Sequence, residues 1–430
     1  INGAIKYFSE VIKIRPKDVE AFNNIANCLR EKGDINEAKK FFYKALKIRP
    51  KYAILYNNLG NILLKEGDIV GAKKSFYKAL KLRPEMAQAY NNLGNCFREE
   101  GDNNSAALNY EKAIKINSKC SEAYNNLGYI LSKNGDLDRA IVYFNQAIKI
   151  NPRFANAHNN LGNSLLEKED INAAIKSFYE ALNLSPGFAE AHNNLGTALN
   201  KNNKYTEAIR SFMLALKYKP KFAKALFNLA NTLQEIGDFE SAKYYFYKAL
   251  EINPDYAAAH LNLSINQLLL GNYNSGWDHY EWRWKCKVLQ RAHAQPKISK
   301  WDGLENLKEE KLLLITEQGL GDTMQFMRFI PFLRRKGFDC LFCAQTKLHN
   351  LIKASGIDAN PITPELGNTF SEGKWFPLLS LPKYLGINSK NPIIIKPYIF
   401  SKIELIQKWE KIFQAENKPI IGINWQGNPH

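Results

Sequence analysis

Residues 53–86 read AILYNNLGNILLKEGDIVGAKKSFYKALKLRPEM, and the rest of the chain is read outward from this stretch. Tyr56, Leu59, Gly60 and Leu63 recur at helical spacing and make one apolar face. Ala72, Phe76 and Ala79 do the same on a second helix. Gly67-Asp68 breaks the chain between the two. Pro84 ends the second helix, because its nitrogen cannot donate to the carbonyl four residues back. Gly60, Ala72 and Ala79 are small, which lets the helices approach closely. The same pattern steps through the chain every 34 residues, with prolines at 16, 50, 84, 152, 186, 220 and 254 and Ser118 in the remaining slot. Seven complete units run from Val19 to Tyr256, half a unit precedes them, and a degenerate eighth begins at Ala257. One such hairpin cannot bury its apolar face alone, so stacking is required.

The period and this pattern resemble the tetratricopeptide repeat. The expectation is an all-α TPR superhelix over residues 1–284. His158, His192 and His260 stand where other units carry Tyr56, Tyr90 and Tyr124, so they read as packing residues.

Each first helix also carries an asparagine pair, such as Asn57-Asn58 or Asn159-Asn160. The second column holds Asn24, Asn58, Asn92, Asn126, Asn160, Asn194, Asn228 and Asn262. Asn27, Asn61, Asn95, Asn163 and Asn231 make a further column. Asparagine is a mediocre helix former, so its recurrence needs a reason. An amide both donates and accepts, and a ladder of them could grip an extended peptide by its backbone. The same amides could instead solvate the groove or bond between neighbouring repeats. The segments N-N-L-G-N and A-x-x-x-Y/F-x-K-A-L resemble the repeats of O-linked N-acetylglucosamine transferases. That resemblance implies an asparagine ladder on the inside of the superhelix.

The formal net charge is +17, split as +9 up to residue 284 and +8 after it. A diffuse excess favours anionic ligands in general and lacks the basic stripe with aromatics of a nucleic-acid binder. The chain contains no apolar run long enough for a membrane helix and no signal peptide, so the expectation is a cytoplasmic protein. Cys340 and Cys343 form the only C-x-x-C pair, on a segment that reads as a strand. Residues three apart on a strand point to opposite faces, so no metal site is expected.

Beyond Gly271 the repeat decays. WDHYEWRW, residues 277–284, reads as a cap that closes the solenoid and docks the next domain, with sugar stacking on Trp282 or Trp284 the less favoured role. Residues 285–308 read as a linker. Alternating strands and helices then indicate a mostly parallel sheet over residues 309–418. The expected strands are 311–317, 338–345, 357–362 and 376–381, with a helix at 323–336 and another at 401–415 capped by Ser401. A final strand at 419–425 would open a second α/β domain. Asp322, three residues before Gln325, also reads as a helix N-cap.

The strings LLLITEQGLGDTMQFMRFIP and GINWQGNPH resemble TPR-linked bacterial glycosyltransferases related to the heptosyltransferases. This implies a partial Rossmann-like domain of glycosyltransferase B type. It implies Asp322 as general base, with His430 also at the catalytic cleft. Gln318, Gly319, Gly321 and Thr323 would lie at the donor phosphates, and Trp425, Gly427 and Asn428 at the crossing into the second domain. The donor would be a nucleotide-sugar, with no metal or cofactor. Ile1 falls inside a repeat and the second domain is missing after His430, so a piece of a longer chain, inactive alone, is expected. The main expectation is inverting sugar transfer to an acceptor, most naturally a polypeptide, held in the repeat groove. The alternative is an interaction scaffold with a non-catalytic α/β remnant. A nucleic-acid binder, the third reading, would lose affinity steeply with salt.

Overall fold

The computed structural model describes residues 1–286, 292–303, 310–393 and 398–413. These fall into two compact units, 1–232 and 233–430, and the division lies within the helix Ala223–Glu235.

In the first unit, helices of 13 or 14 residues alternate as hairpins, from Val19–Lys32 with Ile35–Ile48 to Ala189–Lys201 with Tyr205–Tyr218. The small residue on each first helix has a definite partner. A Cβ on Gly60, Gly94, Gly162 or Gly196 would stand 2.6 Å from a ring carbon of Phe76, Tyr110, Phe178 or Phe212. Those four rings are buried, as are Ala72 and Ala79. The second helix starts on an aspartate. Asp34, Asp68, Asp102, Asp136 and Asp170 each accept the N–H three residues on, satisfying a donor the helix cannot. Two of the later turns vary this scheme. Glu169 and Asn203 take the left-handed conformation that Gly67 and Gly101 hold elsewhere, and Lys204 replaces the capping aspartate.

The histidines in the tyrosine slot are anchors as well as packing. A ring nitrogen of His158, His192 and His260 lies 3.1, 2.9 and 2.9 Å from the carbonyls of Pro152, Pro186 and Pro254.

The second unit contains the helices Phe239–Ile252, Ala257–Leu269 and Tyr273–Tyr280, a 3-10 turn at Glu281–Lys285, and a parallel sheet. Strands β1 (Lys311–Ile315), β2 (Asp339–Cys343) and β3 (Lys374–Pro377) are ordered β2-β1-β3. Leu312 is opposite Cys340 and Lys374. The strand period sorts the core by face. Leu312, Leu314, Cys340 and Phe342 pack with Trp301, Phe329 and Ile330, while Leu313, Ile315 and Cys343 pack with Ala292 and Ala294 on the other side. Cys340 and Cys343 therefore sit in different clusters, and burial pushes both thiols up to about 12.

Several elements are shorter than the sequence suggests, each for a local reason. The expected strand 357–362 contributes one bridge, Ile362 beside Cys343. The strand at 376–381 stops at Pro377, and Leu378–Ser380 turns as a 3-10 helix. The helix expected at 323–336 is two, Leu320–Phe326 and Phe329–Arg335. Pro331 explains the break: it has no N–H for the Met327 carbonyl, and its ring crowds that carbonyl. The last helix begins at Ile403, with the Lys402 carbonyl accepting the Ile406 N–H, so Lys402 and not Ser401 stands at the cap position. The described part of the expected linker is built into the sheet edge. Trp301 N–H donates to the Trp375 carbonyl at 2.9 Å, and Trp375 N–H to Ser299 at 3.1 Å. The strand expected at 419–425 lies outside the described residues.

Candidate functional site

The asparagine pairs form one hydrogen-bonded ladder through the first unit. The second asparagine of each pair donates its amide to the first asparagine of the preceding repeat. The bonds are Asn58 to Asn23 at 2.9 Å, then Asn92 to Asn57, Asn126 to Asn91, Asn160 to Asn125, Asn194 to Asn159 and Asn228 to Asn193, all at 3.0 Å. Longer contacts of 3.3–3.5 Å join the two members of several pairs, as in Asn193 to Asn194 and Asn23 to Asn24. All the inter-repeat donors point the same way along the array, so the amide dipoles reinforce one another. The first column, Asn57, Asn91, Asn125, Asn159 and Asn193, is buried, and a buried amide requires partners. Joining the repeats is therefore the primary task of these side chains. Asn262 lies on Ala257–Leu269 in the second unit.

An amide has two N–H groups and two acceptor positions, so the ladder need not exhaust it. Asn126 spends both donors, on Asn91 and on Asn95 at 3.2 Å, and Asn228 reaches Asn193 and Thr197. Asn160 makes one bond, to Asn125, and retains a donor and its carbonyl oxygen among the described residues. It lines two cavities that open on the ladder. One measures 830 Å³ and is walled by Asn126, Asn160, Tyr129, Phe188 and Glu190. The other measures 320 Å³ and reaches from Tyr129 to Asn228, with Phe144 and Leu166 among its lining. Asn24, Asn58 and Asn92 line neither.

Tyr129 stands where the third asparagine column would continue, and is shared by the two cavities. The Arg98 guanidinium lies 6.0 Å and the Lys133 ammonium 5.6 Å from its ring centre. Nearby, Glu190 bonds Lys219 at 2.7 Å, which holds its carboxyl below the usual range.

In the second unit, Gln318, Gly319, Gly321, Asp322 and Thr323 follow the carboxyl end of β1. Gly319 caps the helix Leu320–Phe326, so Asp322 is not the N-cap. It is the third helical residue, and its carboxylate accepts the Gly319 N–H at 3.2 Å, leaving half of a capping box because glycine has no side-chain oxygen. Thr323 is buried, and its hydroxyl donates to Gln345 at 2.9 Å. Gln345 in turn donates to the Gln318 carbonyl at 2.8 Å. Gly319 and Gly321 are exposed. Trp425, Gly427, Asn428 and His430 lie outside the described residues.

Sequence reasoning missed the strongest polar feature of this unit. Arg283 is 1% exposed and forks onto Glu317 through bonds of 2.9 and 3.1 Å. Arg283 also donates to Ser380 at 2.7 Å and to Glu281 at 2.8 Å, and Glu317 accepts the Leu379 N–H at 3.1 Å. Burial pushes the Glu317 carboxyl up, and the fork opposes that. The pair ties the end of the repeats to the end of β1. The only signal was one arginine inside WDHYEWRW. The tryptophans beside it have covered faces: Trp282 stacks on His260 at 3.7 Å and lies under Lys285, and Trp284 lies near Arg283 and Lys300.

Tetratricopeptide repeat families match residues 19–52, 51–119, 121–154, 143–176, 189–222 and 223–256, and a TPR repeat family matches 162–203. Protein FlbA of Caulobacter vibrioides is 34% identical over 64 residues, which are 15% of this chain and 11% of that protein. The crystal structure of the APC/C hetero-tetramer Cut9-Hcn1 matches with a TM-score of 0.55 and 21% identity, over 61% of this chain and 52% of that one. YrrB, described as a TPR protein with an unusual peptide-binding site, matches with a TM-score of 0.33 and 26% identity, over 43% of this chain and 95% of that one. The chain thus spans about a tenth of FlbA and about half of the Cut9-Hcn1 chain. No helix among the described residues is long and apolar enough to cross a membrane. The repeat matches together cover more than half of the 430 residues, and the chain belongs to the tetratricopeptide-repeat family.

Proposed function

We propose that this chain is a protein–protein interaction scaffold that holds an extended polypeptide segment along the asparagine-lined groove of residues 1–232. The observation that carries this reading is Asn160. Its amide is fixed by a 3.0 Å bond to Asn125, keeps a donor and an acceptor, and lies at the junction of two cavities. A side chain held by its neighbour loses little entropy on binding, and a donor–acceptor pair matches the two polar groups of any peptide unit. Repeat solenoids present extended binding surfaces of this kind.

The test is fluorescence anisotropy with labelled Gly/Ser/Ala peptides. An Asn160→Ala/Asn194→Ala variant is expected to bind at least about 10-fold more weakly, the cost of one or two hydrogen bonds. Equal affinity in a variant with an unchanged helical spectrum would remove the groove from the account.

A second reading adds sugar transfer from a nucleotide-sugar to the held segment, with Asp322 as base. What supports it is the exposed Gly319–Gly321 loop at the carboxyl end of the middle strand of a parallel sheet, the usual place for ligands in such sheets.

A further inference from the structure

We propose that the 320 Å³ cavity is a side-chain pocket that seats one large aromatic residue of the bound polypeptide and so sets its register. This rests on the groove reading above. A ladder of amides grips any backbone and by itself allows a segment to slide by a residue. Something in the groove must differ from repeat to repeat if one register is to win.

The array changes at this cavity. At the twelfth position of the first helix, repeats one to three carry Arg30, Leu64 and Arg98, and repeat five carries Leu166. Repeat four carries Ser132. At the ninth position, the asparagines 27, 61, 95 and 163 give way to Tyr129 in repeat four and Thr197 in repeat six. Ser132 and Thr197 are the small residues, and both line the cavity. Their polar atoms are already engaged: Ser132 accepts from Ser164 at 3.2 Å, and Thr197 donates to the Asn193 carbonyl at 3.0 Å.

The lining selects the guest. Tyr129, in the lining and 37% exposed, offers an aromatic face, which an aromatic guest covers more fully than any other side chain. Lys133 and Lys224 stand at the same cavity. Lys133 already lies 5.6 Å from one ring centre, that of Tyr129. A second ring gives these cations a further π face. Glu167, also in the lining, offsets part of the positive charge that would draw an acidic guest. The amides of Asn160 and Asn194 can meet a phenol hydroxyl, so tyrosine suits the site best.

The experiment uses the full chain and short fluorescein-labelled Gly/Ser/Ala peptides with one central Tyr, Leu, Glu or Ala. The Tyr peptide is expected to bind about 10-fold tighter than the Ala peptide, with Leu between them and Glu no better than Ala. Ser132→Leu fills the pocket with a residue the array uses at this place in repeats two and five. It should bring the Tyr peptide to within about 3-fold of the Ala peptide. Thr197→Asn is the second variant if the first does not fold. Equal binding of all guests, a preference for Glu, or a Tyr preference that survives both variants overturns the pocket while the groove stands. Failure of every peptide to bind the unaltered chain overturns the groove and the pocket together.

Discussion

The asparagine bonds between repeats in residues 1–232 are neutral and small, and the same one recurs six times. The joint in residues 233–430 has a charged and buried centre, with Arg283 and Glu317 holding the end of the repeats against the sheet. The two solutions fail differently. A repeated neutral bond can be lost once with local damage, because a solenoid's stability is close to a sum over neighbours. A buried ion pair cannot be half removed, because the surviving charge has neither water nor partner.

Arg283→Ala should therefore be the most damaging single change, at about 3–5 kcal/mol. The tryptophans make this measurable. All seven lie at or beyond residue 277, so tryptophan fluorescence in a denaturant titration reports the second unit. A loss below about 1 kcal/mol would mean the fork is an ordinary surface pair and would erase the contrast. Asn125→Ala removes the acceptor of Asn160 and the donor toward Asn126. It should cost about 1–3 kcal/mol, read from far-ultraviolet circular dichroism, and leave the tryptophan signal unchanged. A fall in both signals would show that the ladder is not additive.

The smallest effect sharpens the same contrast through pH. His260 donates from Nε2 to the Pro254 carbonyl, so its Nδ1 accepts from His279 Nδ1 at 2.7 Å. Burial lowers both histidines below the ordinary range, and His260 lowers His279 further. Lys285, Asp255 and Asp278 are the charges nearby. A depressed histidine gives stability that is present above the unfolded value of about 6.5 and is lost as the pH falls below it. The tryptophan-detected midpoint should thus drop on acidification from pH ~7 through ~6.5. His260→Tyr, which restores the residue found at Tyr56 and Tyr90, should flatten the drop. A slope unchanged by that substitution would place the titration elsewhere.

The repeat was legible because each of its features has a short-range cause. A proline ends a helix, a glycine admits a ring, and an aspartate caps, all within 34 residues. The asparagine columns were legible as positions. Their partners were not, because Asn160 meets Asn125 across 35 residues of chain and the same amide could equally face solvent or a peptide. The α/β part was legible as alternation, and Cys340 and Cys343 point to opposite faces as the strand period demands. Its boundaries were not, since Pro331 and Pro377 stop elements that the apolar pattern alone would continue. Asp322 was expected to cap its helix and instead braces the loop before it. Arg283 and Glu317 are 34 residues apart in unlike segments, and nothing local in either marks the other.

The ladder also bears on how such a chain can lengthen or shorten over generations. Every asparagine pair gives to the pair before and takes from the pair after, so each repeat carries one plug and one socket. A gene duplication or deletion of a whole number of repeats closes the line again without a second mutation. One that is out of step by even a few codons strands an amide on each side of the seam. The number of repeats is thus free to drift, while their length is held by the bond that joins them.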